Sequence, residues 1–235
     1  MASIGLLAAG MAHEIGTPLA SIMGYAELVS GEPLDNGTIQ DYARRITNDC
    51  ARIDRIVRGL LDYSRPRSTG VESCNVHDLV EKTILMLSEQ GAIKGIDVTT
   101  DCDEHVPNAL VDPHQLQQVL INLVLNSRDA MPTGGTLVIG IKPDSGRRNT
   151  DRTGCIGLRI DVSDSGSGIP EGHLRRIFDP FFTTKEPGKG TGLGLAISAR
   201  IIEGLGGKIS VQSKPGAGAC FSVWLPTKTS EESIE

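Results

Sequence analysis

The sequence predicts two architectures in series: an all-α helical hairpin, then an α+β two-layer domain with helices on one face of a mixed or antiparallel sheet. Three observations carry this reading. Two long apolar seams, each with a spacing of about 3.5 residues, flank a turn-forming stretch at Gly31–Gly37. The run Arg65–Ser73, with its Pro, Ser, Thr and Gly, then ends the purely helical texture. Beyond it, short strand patterns alternate with helical ones.

The first seam runs through Ile4, Ala8, Met11, Ile15, Pro18 or Leu19, Ile22, Ala26 and Val29, ending near Ser30. Thr38 is the expected N-cap of the second helix. Its seam is Ile39, Tyr42 or Ala43, Ile46, Cys50, Ile53, Val57 and Leu60, and Pro66 stops it after Ser64. Two helices cannot cover both apolar stripes, so a four-helix bundle in a homodimer is expected. A hairpin docked on its own second domain is the alternative. The expected boundaries are 1–65 for the hairpin, 66–73 for a linker, 74–228 for the second domain and 229–235 for a disordered tail. In the second domain, helices are expected over His77–Gln90, Pro113–Met131 and about Thr191–Leu205. Strands are expected near Ile96–Asp101, Thr136–Lys142, Cys155–Ser163, Lys208–Ser213 and Ala219–Leu225.

Composition narrows the function. A net charge of −6 and 3% aromatic residues argue against nucleic acid as a partner. Hydrophobic content is 39% with no bilayer-length apolar run, so no membrane contact by these residues is expected. No basic start or cleavage-site pattern marks a signal peptide, and Met1 opens almost directly onto the seam, so an upstream part is expected to be missing. Cys50, Cys74, Cys102, Cys155 and Cys220 are odd in number and form no close pair, which points to reduced thiols in a cytosol.

The hairpin centres on His13-Glu14-Ile15-Gly16-Thr17-Pro18-Leu19. His13 lies between the seam residues Met11 and Ile15, so it projects from the opposite, wet face. Glu14 adds a carboxylate beside it, and Thr17 lies one turn on, on the face of His13. Pro18 removes a donor to the carbonyl of Glu14, and Gly16 loosens the helix locally. An exposed imidazole beside such an irregularity reads as a reaction site, although a lone histidine of this kind is commonly plain surface.

Four constellations mark the second domain. Asn122 and Asn126 share a face of an apolar helix that also carries Asp129. Their amides suit a magnesium ion (Mg2+) shared with a nucleotide, or are satisfied by neighbouring loops. Asp164-Ser-Gly166-Ser-Gly168 follows an apolar strand; its glycines permit a sharp turn, and Asp164 offers an acceptor for the exocyclic amine of adenine. Phe178–Phe182 anchors a flexible, basic segment that reads either as an ordinary surface loop with a buried foot or as a nucleotide lid whose Lys185 or Lys189 meets phosphates. Gly190-Thr191-Gly192-Leu193-Gly194 opens directly onto a helix, where backbone donors form a phosphate site. It matches neither a dinucleotide fold nor a P-loop.

In this order the stretches resemble the cytoplasmic core of bacterial two-component sensor histidine kinases. His13-Glu14-x-x-Thr17-Pro18-Leu19 is similar to the phosphoacceptor motif, Asn122–Asn126 to the N box and Asp164-x-Gly-x-Gly to the G1 box. Phe178–Phe182 is similar to the F box, Gly190–Gly194 to the G2 box and Pro215–Gly218 to the last glycine motif. Gly16 departs from the basic or polar residue the family more often has there. The resemblance implies an ATP-binding domain of the fold shared with gyrase and Hsp90, with ATP and magnesium as cofactors. It further implies autophosphorylation of His13 and transfer to an aspartate of a response-regulator receiver domain. That sets the chain in the cytoplasm, either as a free kinase or as the cytoplasmic part of a membrane-bound sensor. Glu14-x-x-Thr17 is similar to the motif by which related kinases also act as phosphatases. Hydrolases of this fold carry a glutamate one turn before the conserved asparagine. Here that position is Asn122, which takes no proton at neutral pH, so transfer to a side chain is favoured over transfer to water.

Overall fold

The computed structural model describes residues 2–31, 33–64, 70–103, 105–144, 157–185 and 190–227, with side chains from Ile15 onward except at 55 and 58–64. The chain divides into two compact units, Met1–Arg65 with Asp179–Gly194 and Pro66–Phe178 with Leu195–Glu235. The expected tail at 229–235 lies outside the described residues.

In the first unit, α1 (Ala2–Gly31) and α2 (Asn36–Ser64) pack against each other as a helical hairpin. α2 starts two residues before Thr38, the expected cap. Asp35 takes that role instead: its Oδ1 accepts from the N–H of Gly37 at 2.8 Å and of Thr38 at 3.0 Å. The Thr38 hydroxyl donates to Oδ2 at 2.5 Å. A short carboxylate one position earlier reaches the free N–H groups of the first turn, which is the geometry a cap requires. The bond from the Thr38 hydroxyl, then those from the two backbone donors, hold the Asp35 carboxyl below its usual range. Its support of the hairpin is therefore present above the ordinary aspartate pKa and fades as pH falls through the lowered value. Nearby, the Tyr25 and Tyr42 rings lie 5.3 Å apart, and the Arg45 guanidinium sits 5.8 Å over Tyr25 while pairing with Asp41 at 2.7 Å. These contacts tie the two helices together beside the turn.

In the second unit, β1 (Glu72–Cys74), α3 (Val76–Glu89), β2 (Ile96–Cys102), β3 (Ala109–Val111) and α4 (Pro113–Ala130) come first. β4 (Gly135–Asp144), β5 (Gly157–Asp164), the short α5 (Glu171–Leu174), α6 (Gly194–Gly204), β6 (Lys208–Ser213) and β7 (Ala219–Pro226) follow. Among the described residues, five strands form a mixed sheet in the order β2-β4-β5-β7-β6, with β2 and β4 parallel and the other pairs antiparallel. Alternation decides its two faces. Leu137, Ile139 and Ile141 of β4, Leu158, Ile160 and Val162 of β5, and Phe221, Val223 and Leu225 of β7 are buried. They share a core with Leu116, Leu120 and Leu123 of α4 and Ile197, Ile201 and Ile202 of α6. The intervening residues form a polar face, where Asp161 accepts from Arg159 Nε at 3.0 Å and from Ser222 Oγ at 2.6 Å. A sheet covered on one side only is the expected two-layer arrangement.

Two local expectations change. Glu72 and Ser73, placed in the linker by composition, belong to β1, which pairs with β3. Both strands have three residues, too few for a period of two to register. α6 begins at Gly194 rather than Thr191, because Gly192 holds a left-handed φ of 65° that no helix accommodates. β5 is described from Gly157, and its expected start at Cys155 lies outside the described residues. Cys50, Cys74, Cys102 and Cys220 are free thiols, and burial pushes that of Cys74 up.

Ser127 of α4 is 1% exposed, and its Oγ has no hydrogen-bond partner among the described residues. An unpaired buried hydroxyl costs about 1–3 kcal/mol. Ser127→Ala is expected to raise stability by about 1 kcal/mol, read as a higher urea midpoint at unchanged slope. A lower midpoint would show that the hydroxyl has a partner.

Candidate functional site

His13, Glu14 and Thr17 stand within four residues of each other on α1, which continues as one helix across Pro18. The side chains of His13 and Glu14 lie outside the described residues. Thr17 is exposed and Pro18 is buried. A Cβ added at Gly16 meets nothing within 4 Å, so packing in the described residues does not demand a glycine there.

The second group is built on α4 and the end of β5. Asp112 caps α4, accepting from His114 N–H at 3.0 Å and Gln115 N–H at 3.3 Å. The apolar stripe of this helix is buried, and Asn122 and Asn126 lie half-buried beside it. The Asn122 amide nitrogen donates to Ser198 Oγ of α6 at 3.4 Å, linking the two helices. Asp129 accepts from Arg128 Nε at 2.8 Å, and Arg128 also reaches the Ala92 carbonyl at 3.2 Å.

Asp164 ends β5 and is 8% exposed. Its Oδ1 accepts from the N–H of Gly166 at 2.9 Å and of Ala219 at 3.3 Å. Burying a carboxylate is tolerated because backbone donors satisfy it. The turn after it is wedged between two elements. Ser167 N–H donates to the Ala130 carbonyl at 3.1 Å, at the end of α4. Gly168 has a φ of 70°, and a Cβ there would sit 2.1 Å from the Lys214 carbonyl oxygen. The Asp164-x-Gly166-x-Gly168 turn therefore lies at the end of the helix that carries Asn122 and Asn126. A buried acceptor on a stiff, close-packed turn can read a donor on a flat ligand.

The third group is the segment from Asp179 to Gly194. Phe181 has a φ of 65°, and a Cβ at Gly192 would fall 2.4 Å from its carbonyl carbon. A Cβ at Gly190 would fall 2.9 Å from Thr183 Oγ1 and 3.1 Å from Lys185 Cδ. The aromatic anchor and the glycine run are thus pressed together, with Lys185 at the base of the intervening loop. Lys189 lies outside the described residues. Thr191 Oγ1 accepts from the N–H of Leu193 at 3.4 Å, Leu193 is buried, and α6 starts at Gly194. Its first N–H groups supply the donors that favour an anion.

The residues that hold this site but escape sequence reasoning are Ser165, Ser198 and Ser213. Each acts on a partner far away in the chain, so no local spacing betrays it.

The chain matches the family model described as His Kinase A (phospho-acceptor) domain over residues 3–69. It matches the one described as Histidine kinase-, DNA gyrase B-, and HSP90-like ATPase over residues 111–229. It is 37% identical over 226 residues to sensor histidine kinase ZraS of Salmonella typhi, covering 96% of this chain and 46% of that protein. It is 34% identical over 229 residues to sporulation kinase E of Bacillus subtilis (strain 168), covering 97% of this chain and 29% of that protein. The chain thus spans less than half the length of these two curated relatives. A crystal structure of histidine kinase ThkA in complex with response regulator protein TrrA superposes with a TM-score of 0.74 at 30% identity, covering 97% of this chain and 63% of that one. With a phosphoacceptor match over the hairpin, an ATPase match over the sheet unit and relatives of this identity, the chain belongs to the two-component histidine kinase family.

Proposed function

We propose that the chain moves the γ-phosphoryl group of ATP to His13 and then to an aspartate on a response-regulator receiver domain. The observation that carries the nucleotide half is the buried Asp164 carboxylate, held by two backbone N–H groups beside the Asn-bearing helix. The family match over residues 3–69 supports His13 as the acceptor. In this reading Asp164 accepts from the adenine amine, and the amides around Gly192 and Gly194, with Lys185 and Lys189, meet the phosphates. One nitrogen of neutral His13 attacks phosphorus, forming the N–P bond as the β–γ bridging bond breaks and ADP leaves with its electron pair. Glu14 hydrogen-bonds the other ring N–H and receives the proton as positive charge develops. Adjacent helical residues diverge, so Glu14 acts by reaching around the helix.

Among the described residues, no group of three His, Cys, Asp or Glu side chains is placed to hold a metal ion. Asn126 with Asn122, half-buried and one turn apart on α4, offers amide oxygens instead, a donor set that fits magnesium shared with phosphates. When bound, the ion neutralises phosphate charge. Asn122 stands where hydrolases of this fold carry a general base, which supports transfer to His13 over hydrolysis.

The test is labelling with γ-labelled ATP. Acid-labile, base-stable label on the protein is expected; acid-stable label or none overturns the reading. ATP as phosphoryl donor sets the reaction in the cytoplasm. Among the described residues, no helix is long and apolar enough to cross a membrane.

A homodimer is part of this reading. Leu19 and Met23 of α1 are 48% and 57% exposed, and Ile39 and Val57 of α2 are 37% and 40% exposed. A second hairpin covers such stripes in a four-helix bundle. The chain is expected to sediment as a dimer at micromolar concentration, and Met23→Glu to shift it toward monomer. A monomeric parent chain removes the bundle.

Thr17 supports a second activity, dephosphorylation of the receiver, with its hydroxyl orienting an attacking water. Thr17→Ala is expected to slow receiver dephosphorylation tenfold or more, about 1.4 kcal/mol in barrier, while autophosphorylation stays nearly intact. Equal losses in both rates would reduce Thr17 to a helix-shaping residue that bonds a carbonyl one turn back.

A further inference from the structure

Two serine hydroxyls grip the Asp164 turn, one at each end. Ser165 donates its N–H to the Thr136 carbonyl at 3.1 Å, and its Oγ accepts from the Thr136 N–H at 2.9 Å. The side chain here takes the part of a backbone carbonyl. It extends the β4–β5 ladder beyond its last pair, Leu137 with Asp164, at the point where the chain turns away. Gly135 leaves room for it, since a Cβ there would lie 2.8 Å from Ser165 Oγ and 2.6 Å from Met131 Sδ.

At the other end, Ser213 closes β6. Its Oγ accepts from the Ile169 N–H at 2.8 Å and donates to the Gly218 carbonyl at 2.6 Å. One oxygen thereby joins the exit of the Asp164 turn to the turn before β7. A bond from Gly216 N–H to the Ser167 carbonyl at 2.7 Å reinforces the same junction.

The position of each hydroxyl relative to the carboxylate matters more than its number of bonds. Asp164 Oδ1 is held by the N–H groups of Gly166 and Ala219. Ser165 immediately precedes the first donor, and Ser213 grips Gly218, which immediately precedes the second. Ser213 thus fixes the peptide unit that delivers the Ala219 bond, and Ser165 anchors the residue that leads directly into the Gly166 bond. We propose that Ser165 and Ser213 are positioning residues that set the angle of the Asp164 carboxylate toward the base, and so control the preference for adenine over guanine. This rests on the reading of Asp164 as the acceptor for the base.

The experiment titrates the full chain with ATP and with GTP, alongside urea unfolding. Ser165→Ala and Ser213→Ala are each expected to raise the ATP Kd about tenfold, equivalent to 1.4 kcal/mol, and to shrink the ATP-to-GTP preference. Ser213→Thr keeps the hydroxyl on a strand that accepts β-branching, and is expected to retain both within about twofold. Unchanged affinity and preference in the two alanine variants overturns the inference. So does an equal loss for ATP and GTP that tracks a lowered urea midpoint, the signature of a merely structural role. If Ser213→Ala fails to fold, Ser165→Ala decides alone. Asp164→Asn separates the two claims. If it leaves ATP affinity and preference intact, the site reading fails; if it degrades both while the alanine variants do not, only the serine inference fails.

Discussion

Replacing His13 with glutamine is expected to abolish incorporation of phosphate from ATP while nucleotide binding persists. Glutamine keeps the length and polarity of the side chain, but an amide nitrogen has its lone pair delocalised and cannot attack phosphorus. An imidazole offers one basic nitrogen and, on the other, an N–H through which the developing charge leaves. His13 belongs to α1, whereas Asp164, Asn122 and Asn126 belong to the other compact unit, and the proposed reading gives His13 no part in holding the nucleotide. Labelling should fall below detection, a loss of at least a thousandfold or about 4 kcal/mol in barrier, with the ATP Kd within about twofold of the parent. Label persisting on the variant would move the acceptor elsewhere and end the assignment of this hairpin.

The second large effect is expected from Asp164→Asn. The asparagine oxygen still accepts from Gly166 and Ala219, so the turn and the β5–β7 junction keep their geometry. What changes is the outer atom of the group, now a donor where the adenine amine also donates. Two opposed donors in a buried site lose about 1–3 kcal/mol, roughly 5- to 150-fold in affinity. ATP should bind at least tenfold more weakly, and GTP, whose corresponding ring substituent is a carbonyl oxygen, should lose less or gain. Unchanged titrations would leave Asp164 as a turn residue with no ligand.

The hairpin and most of the sheet are legible in the sequence because their signals are periodic. The seams at Ile22, Ala26 and Val29 and at Ile39, Ile46 and Ile53 repeat often enough to define helices, and β6 matches its expected limits, Lys208–Ser213. What escapes is short or non-local. β1 and β3 have three residues each and owe their form to pairing with each other. The start of α2 escapes because Asp35 and Thr38 are both good caps, and which one serves depends on the path of the preceding turn. The candidate site divides the same way. Asp164, Gly166 and Gly168 stand together in sequence and are found together. The groups that aim the carboxylate, Ser213 and Ala219, lie about fifty residues further on, and only the folded sheet brings them back.

That separation bears on how the protein matures. The bond from Ala219 N–H to Asp164 spans 55 positions and depends on β7 docking beside β5. Non-local strand pairing of this kind forms slowly, after local helices and turns. A growing chain that has not yet released β7 therefore lacks half of the clamp on Asp164, even with every earlier motif synthesised. Nucleotide would bind only the finished domain and pull folding toward it, by about 2.7 kcal/mol when ATP stands at a hundred times its Kd. A kinase built this way acquires its substrate and its final stability in the same late event.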